Sequence, residues 1–202
     1  MIIKNKYATY LGYGFAGKFG VWAQKWTAPD APATDNVLAA VTLGNGVTTL
    51  KTAADFLVQP DFPRALSITG NQTQAKSVVI TGLDIRGNII TDTIVLNDTS
   101  TVVGIKAFKS ITSILFPSRT ASGDTVTVGF SDKLGLEIIP SYAVAISAHH
   151  NGTLEGTLPT ITRHATDISQ NLVDFNSACA ADHDQAVVFY TEERPKKLSR
   201  TI

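Results

Sequence analysis

The sequence predicts an all-β protein: an antiparallel β-sandwich or jelly roll carrying an extended, aromatic and glycine-rich N-terminal arm. Three observations predict it. From Val37 onward apolar and polar residues alternate with a period of two, and β-branched residues are frequent, the pattern of half-buried strands. Turn signals rich in Gly, Asn, Asp and Pro recur between these runs at nearly regular intervals. No window between them suits a long crossover helix, so the strands must join as antiparallel hairpins and Greek keys.

The elements follow in order. Residues 1–36 stand apart as an arm and linker, and 37–202 form the β-sandwich domain. Seven aromatics crowd the arm: Tyr7, Tyr10, Tyr13, Phe15, Phe19, Trp22 and Trp26. The last four follow a helical spacing of four, three and four, yet Gly12, Gly14, Gly17 and Gly20 oppose a stable isolated helix, each costing about 1 kcal/mol against Ala. TAPDAPATD, residues 27–35, reads as a linker. In the domain, Val37–Leu43 and Val47–Leu50 flank GNG, a hairpin signal because Gly and Asn accept positive φ. Strands are then expected at Arg64–Thr69, Ser77–Leu83, Ile89–Leu96, Ala107–Phe116 and Thr125–Phe130. Tyr142–His149, Pro159–Arg163 and Gln185–Thr191 complete about ten. DIRGN between Leu83 and Ile89 is a turn in which Gly87 and Asn88 supply left-handed backbone. Two short helices are expected, at Thr52–Leu57 and at Asp167–Leu172 with Asp167 as cap.

Charge and cysteine content narrow the function. Among 202 residues, 17 basic side chains balance 17 acidic ones, so no net field draws nucleic acid or an anionic membrane, and binding must come from shape and apolar contact. Arg194, Lys196, Lys197 and Arg200 form a basic cluster that reads as a solvated tail. Cys179 is the only cysteine, which excludes an intrachain disulfide and Cys-based zinc sites and suggests a small buried residue. No apolar run approaches the ~18 residues of a membrane helix, and Lys18 interrupts the N-terminal apolar stretch where a signal peptide would continue. The expectation is a soluble protein made in a reducing cytoplasm, its N-x-T triplets at Asn71, Asn97 and Asn151 being chance matches.

GYGFAGKFG, from Gly12 to Gly20, satisfies G-x-G-x-x-G and nearly the P-loop pattern. A phosphate cradle needs a buried strand before the glycines and a firm helix after them, inside a βαβ unit. Neither is expected here, and Phe19 stands where a P-loop has its magnesium-binding Ser or Thr. A flexible arm that docks its rings on a neighbouring protein is the better reading. His149 and His150 are adjacent and point to opposite faces of a strand, so they do not share an ion. Asp182 and Asp184 around His183 lack the ligand alternation of a calcium loop and read as a polar turn. With no nucleophile elbow and scattered carboxylates, neither enzyme activity nor a cofactor or metal is expected.

Residues 60–136 carry P-D-x-P-R at Pro60–Arg64, V-x-I-T-G-x-D-x-x-G at Val78–Gly87, I-T-x-T-I-x-L at Ile90–Leu96, G-x-K-A-F at Gly104–Phe108 and G-D-T-V-T-V-G at Gly123–Gly129. This run, a little over a third of the chain, resembles auxiliary head proteins of tailed bacteriophages, which decorate or cement capsids. The resemblance implies a structural virion protein made in the bacterial host cytoplasm and placed on the capsid surface. It implies the major capsid protein or another virion protein as partner, with a homo-oligomer, a trimer above all, over capsid subunit junctions. Tail, neck and baseplate proteins use similar sandwiches and are the alternative within that class. A carbohydrate-binding β module, with Trp22 and Trp26 as stacking platforms, is the alternative outside it. The resemblance transfers no functional residue, and the arm lies outside it.

Overall fold

Alternating inward and outward side chains build fourteen strands among the described residues, 20–72 and 75–192 of the computed structural model. They are β1 (Gly20–Trp26), β2 (Leu38–Thr42), β3 (Thr49–Thr52), β4 (Arg64–Gly70), β5 (Ser77–Leu83), β6 (Ile89–Val95) and β7 (Thr101–Val103). After them come β8 (Ser110–Phe116), β9 (Thr125–Gly135), β10 (Pro140–His150), β11 (Thr153–Leu154), β12 (Thr160–Thr162), β13 (Leu172–Asp174) and β14 (Gln185–Thr191). One sheet has ten strands in the order β1-β14-β10-β12-β13-β9-β4-β7, with β11 on β10 and β2 on β9. The other has four, in the order β3-β8-β5-β6. Every pairing is antiparallel, so the fold is an all-β sandwich, as the period-two pattern predicts.

Two cores result. The first lies between the sheets: Leu66, Ile68, Val126 and Val128 from β4 and β9 meet Val78, Ile80, Ile94 and Ile114 from β5, β6 and β8. The second draws only on the ten-stranded sheet and its loops, with Trp22, Trp26, Val187 and Phe189 facing Leu134, Ile161 and Val173. The sheet therefore curves on itself, and it can do so because β10 and β12 meet at a single pair, Val144 with Thr160.

Four expectations change. The GNG segment is not a hairpin: β2 pairs with β9, and β3 with β8 in the other sheet. The Leu43 N–H donates to Asp124 O (2.9 Å), so β2 keeps following β9 beyond the point where a hairpin would turn back, and the glycines instead carry the chain between sheets. Both helix candidates shrink to 3-10 turns, Ala53–Asp55 and Ile168–Gln170. Asp167 does cap the second, accepting from Ser169 N–H at 3.0 Å. The third change is the domain boundary. Residues 20–26 are a strand of the main sheet, in seven-residue register with β14, so the arm cannot extend to residue 36.

The fourth concerns the linker at 27–35, which is fastened to the domain. Ala33 N–H donates to Phe130 O (3.2 Å) and Asp30 N–H to the Asp61 carboxylate (2.7 Å). Gly129 permits this approach, since a Cβ there would run into the Ala33 carbonyl. Arg64, fully buried, completes the fastening: its guanidinium donates to Asp30 O, to Ser131 O and to Asp61, and lies over the Phe130 ring at 4.9 Å. A buried cation is tolerable only when nearly all its donors are used, and here they are.

Candidate interaction surfaces

The predicted anchor splits at residue 20. Tyr7, Tyr10, Tyr13, Phe15 and Phe19 lie outside the described residues, as do Gly12, Gly14 and Gly17. Trp22 and Trp26 do not form a helix or reach toward a partner. They sit on β1 with exposures of 7% and 1%, and Trp26 packs edge-on against Phe175 with centroids 5.7 Å apart. A spacing of four fits a helix turn, but it equally fits one face of a strand, and the partner strand β14 decides between them. Gln24, between the two rings on the same face, is buried with its amide donating to Gly135 O (3.1 Å) and accepting from Glu137 N–H (2.9 Å). As core residues the tryptophans offer no platform for a sugar. A strand at Gly20–Trp26 also takes the place of the helix that a phosphate loop would need.

The motif residues of 60–136 prove to be structural staples. Asp84 holds the β5–β6 turn, accepting from Arg86 N–H and Asn88 N–H, both at 2.8 Å. Asp124 closes its loop on Thr120 and Ala121 N–H. Asp92, inward on β6 and 4% exposed, accepts from Ile105 and Lys106 N–H at 2.9 and 3.2 Å, and Gly104 is needed because a Cβ would strike its carboxylate.

No reactive constellation forms among the described residues. Burial pushes the Cys179 thiol up to about 12, so it is no nucleophile at neutral pH. His164 accepts from Asp167 N–H (2.9 Å) and orders its loop. His150 meets the His183 ring at 4.8 Å while Asp184 pairs with Lys25, and among the described residues no group of three His, Cys, Asp or Glu is placed to hold a metal. An open cleft of about 350 Å³ is lined by Ser67, Ser131, Asp132, Lys133 and Asp174 together with Val103 and Phe130; burial raises the Asp174 carboxyl while Lys133 opposes the rise.

The outer face of the four-stranded sheet is different. Its outward side chains are Leu50 and Thr52 on β3, Ser110, Thr112, Ser113 and Leu115 on β8, Ser77, Val79, Thr81 and Leu83 on β5, and Ile89, Thr91, Thr93 and Val95 on β6. None is charged. Register sets Leu50 beside Leu115 and Leu115 beside Val79, an apolar row across three strands. Leu50, Ile89, Val95 and Leu115 are 58, 78, 52 and 37% exposed. An outward sheet face without charge that exposes several large apolar side chains is a candidate contact surface. The sequence held this signal in the alternate letters of SVVITGL and IITDTIV, where the only charge, Asp92, falls on the inward set. No helix among the described residues is long and apolar enough to cross a membrane. Comparison of the chain with protein-family models, with curated proteins and with solved structures finds no match.

Proposed function

We propose that the chain is a structural virion protein of a tailed bacteriophage that decorates the capsid by binding the lattice of the major capsid protein. The uncharged outer face of the four-stranded sheet carries the reading. It is built on four hydrogen-bonded strands, and its Thr and Ser hydroxyls give a partner's backbone hydrogen-bonding groups without the desolvation penalty of buried charge. Balanced charge suits an association driven by shape. The resemblance of residues 60–136 to auxiliary head proteins supplies the class of partner. The subunits assemble as a homo-oligomer, a trimer in the simplest case, over the junctions between capsid subunits.

The test uses particles of the phage that carries this chain. Heads and tails are separated on a density gradient and their proteins are identified by mass spectrometry. The chain belongs in the head fraction, in fixed ratio to the major capsid protein. Recovery with tails alone transfers it to the tail, neck or baseplate class, and absence from both fractions defeats a virion role. Leu50→Lys with Leu115→Lys places two charges on the face, and the doubly substituted protein should keep its fold while failing to add back to heads stripped of it.

A further inference from the structure

A second apolar surface lies on the ten-stranded sheet, on the outer side of β10 and β14. Tyr142, Val144, Ile146 and Tyr190 are 50, 58, 41 and 42% exposed there. The Tyr142 and Tyr190 rings meet edge to face with centroids 6.3 Å apart. Irregular register between Pro140 and Ala145, where β10 has more residues than β14, pushes Tyr142 and Val144 outward. Four large apolar side chains on one outer face, two of them aromatic, form a patch that a soluble domain normally covers.

The described chain begins at the margin of this face. β1 starts at Gly20 opposite Thr191, and its second residue, Val21, is opposite Tyr190. Residues 1–19 are bonded to Gly20, which lies next to the residue opposite Tyr190, at the margin of the patch. They hold Tyr7, Tyr10, Leu11, Tyr13, Phe15 and Phe19, with Lys4, Lys6 and Lys18 as their only charges. Residues 13–19 alone can span about 23 Å when extended, and crossing from β1 over β14 to β10 needs only about 10 Å. A tethered segment also acts at an effective concentration of about millimolar, well above that of a second copy at micromolar total protein.

From this placement we propose that residues 7–19 of the same chain cover the face formed by Tyr142, Val144, Ile146 and Tyr190. The rings then complete the domain as Trp22 and Trp26 do on the opposite side of the same sheet, and the four-stranded face stays free for assembly.

Thiol labelling of the purified full-length chain tests this without any virion. Val144→Cys introduces a reporter on the face, and Cys179, buried with its thiol pushed up to about 12, stays silent at neutral pH. A companion protein adds Tyr13→Ser, Phe15→Ser and Phe19→Ser. The reporter should react about tenfold more slowly in the chain with intact rings, and that ratio should not change on dilution. Equal rates overturn the proposal. Protection that fades on dilution also overturns it, because the cover is then a second copy. If the triple substitution unfolds the chain, seen as exposure of Cys179, Ala16→Cys with Val144→Cys in the otherwise intact chain decides the matter. A short bismaleimide should link the pair within one chain, and links only between chains, or none, defeat the proposal.

Discussion

Strands β5 and β6 and strands β1 and β14 are both seven-residue antiparallel pairs in unbroken register, yet they are specified in different ways. Leu83 and Ile89 are joined by a five-residue turn, 84–88, whose Asp84 carboxylate and positive-φ Gly87 fix the register locally. Trp26 and Gln185 are paired across most of the chain. For a flexible chain, closing the longer loop costs about 3 kcal/mol more than closing the shorter. No turn chemistry can offset that. Burial does: each fully buried large side chain contributes about 1.5 to 3 kcal/mol, and β1 supplies two tryptophans to one core. Local pairs are thus held by turns and remote pairs by cores.

The largest expected effect comes from breaking the remote pair. Trp26→Ala should destabilise the protein by about 3 to 5 kcal/mol, measured by urea denaturation, because the ring is 1% exposed and packed on Phe175. Hydrogen exchange should show the amides of β1 and β14 losing protection before those of β5 and β6. An unchanged denaturation midpoint would return Trp26 to the arm and sink the comparison.

Arg64 lies at the join. It ties Asp30, just beyond β1, to Ser131 on β9 and to Asp61. Arg64→Met keeps the volume but leaves Asp61 and two carbonyls without their donor, and a loss of about 3 kcal/mol is expected by the same measurement. Asp61→Asn, which retains an acceptor on a partly exposed side chain, should cost clearly less. If the two variants cost the same, the guanidinium is not the clamp described.

The same contrast explains what could be read in the sequence. Strands β4, β5, β6, β8, β9, β10, β12 and β14, and the turn at Asp84, were legible because alternation and turn residues sit within a few positions of one another. β1 was not, since a spacing of four between Trp22 and Trp26 is ambiguous until β14 is placed beside it. β13 was obscured by the adjoining helix-like window, Asp167–Leu172, which overlaps it only at Leu172 and of which only Ile168–Gln170 is 3-10. The GNG hairpin failed for the reverse reason: its local signal is sound, but the remote partners β8 and β9 bury more surface than β2 and β3 could offer each other. The uncharged sheet face was present in the alternate letters, yet it becomes a surface only when four strands align.

A smaller effect is expected in the local pair. Asp84→Ala removes the acceptor of three hydrogen bonds, from Arg86 N–H, Asn88 N–H and the Asn88 side chain. The cost should be about 1 to 2 kcal/mol, with β5 and β6 still paired because Val78, Ile80 and Ile94 keep them in the first core. Loss of the whole four-stranded sheet on this substitution would mean that turns, more than cores, hold both pairs.

The smallest expected effect tests whether a local signal can matter in the half of the molecule organised by remote pairs. Asp167 is one such signal there that the sequence revealed. Burial alone would raise its carboxyl, but hydrogen bonds from Ser169 and Gln170, helped by Lys106 at 3.7 Å, hold it below its ordinary value of 3.8. A carboxylate whose folded value is depressed stabilises the protein fully above the ordinary value, and that contribution disappears as pH falls through the lower folded value. The window therefore lies below about pH 4, where the carboxylates of the unfolded chain are already taking up protons. Asp167→Asn keeps an acceptor for Ser169 N–H but removes the charge, so it should cost only roughly 0.5 kcal/mol at pH 7, solvent at this corner screening the Lys106 pair. The cost should shrink toward zero as pH is lowered through the window, with the denaturation midpoints of the two proteins converging. A difference that persists undiminished at the acid end would assign the effect to altered hydrogen-bond geometry at the cap, with the charge playing no part.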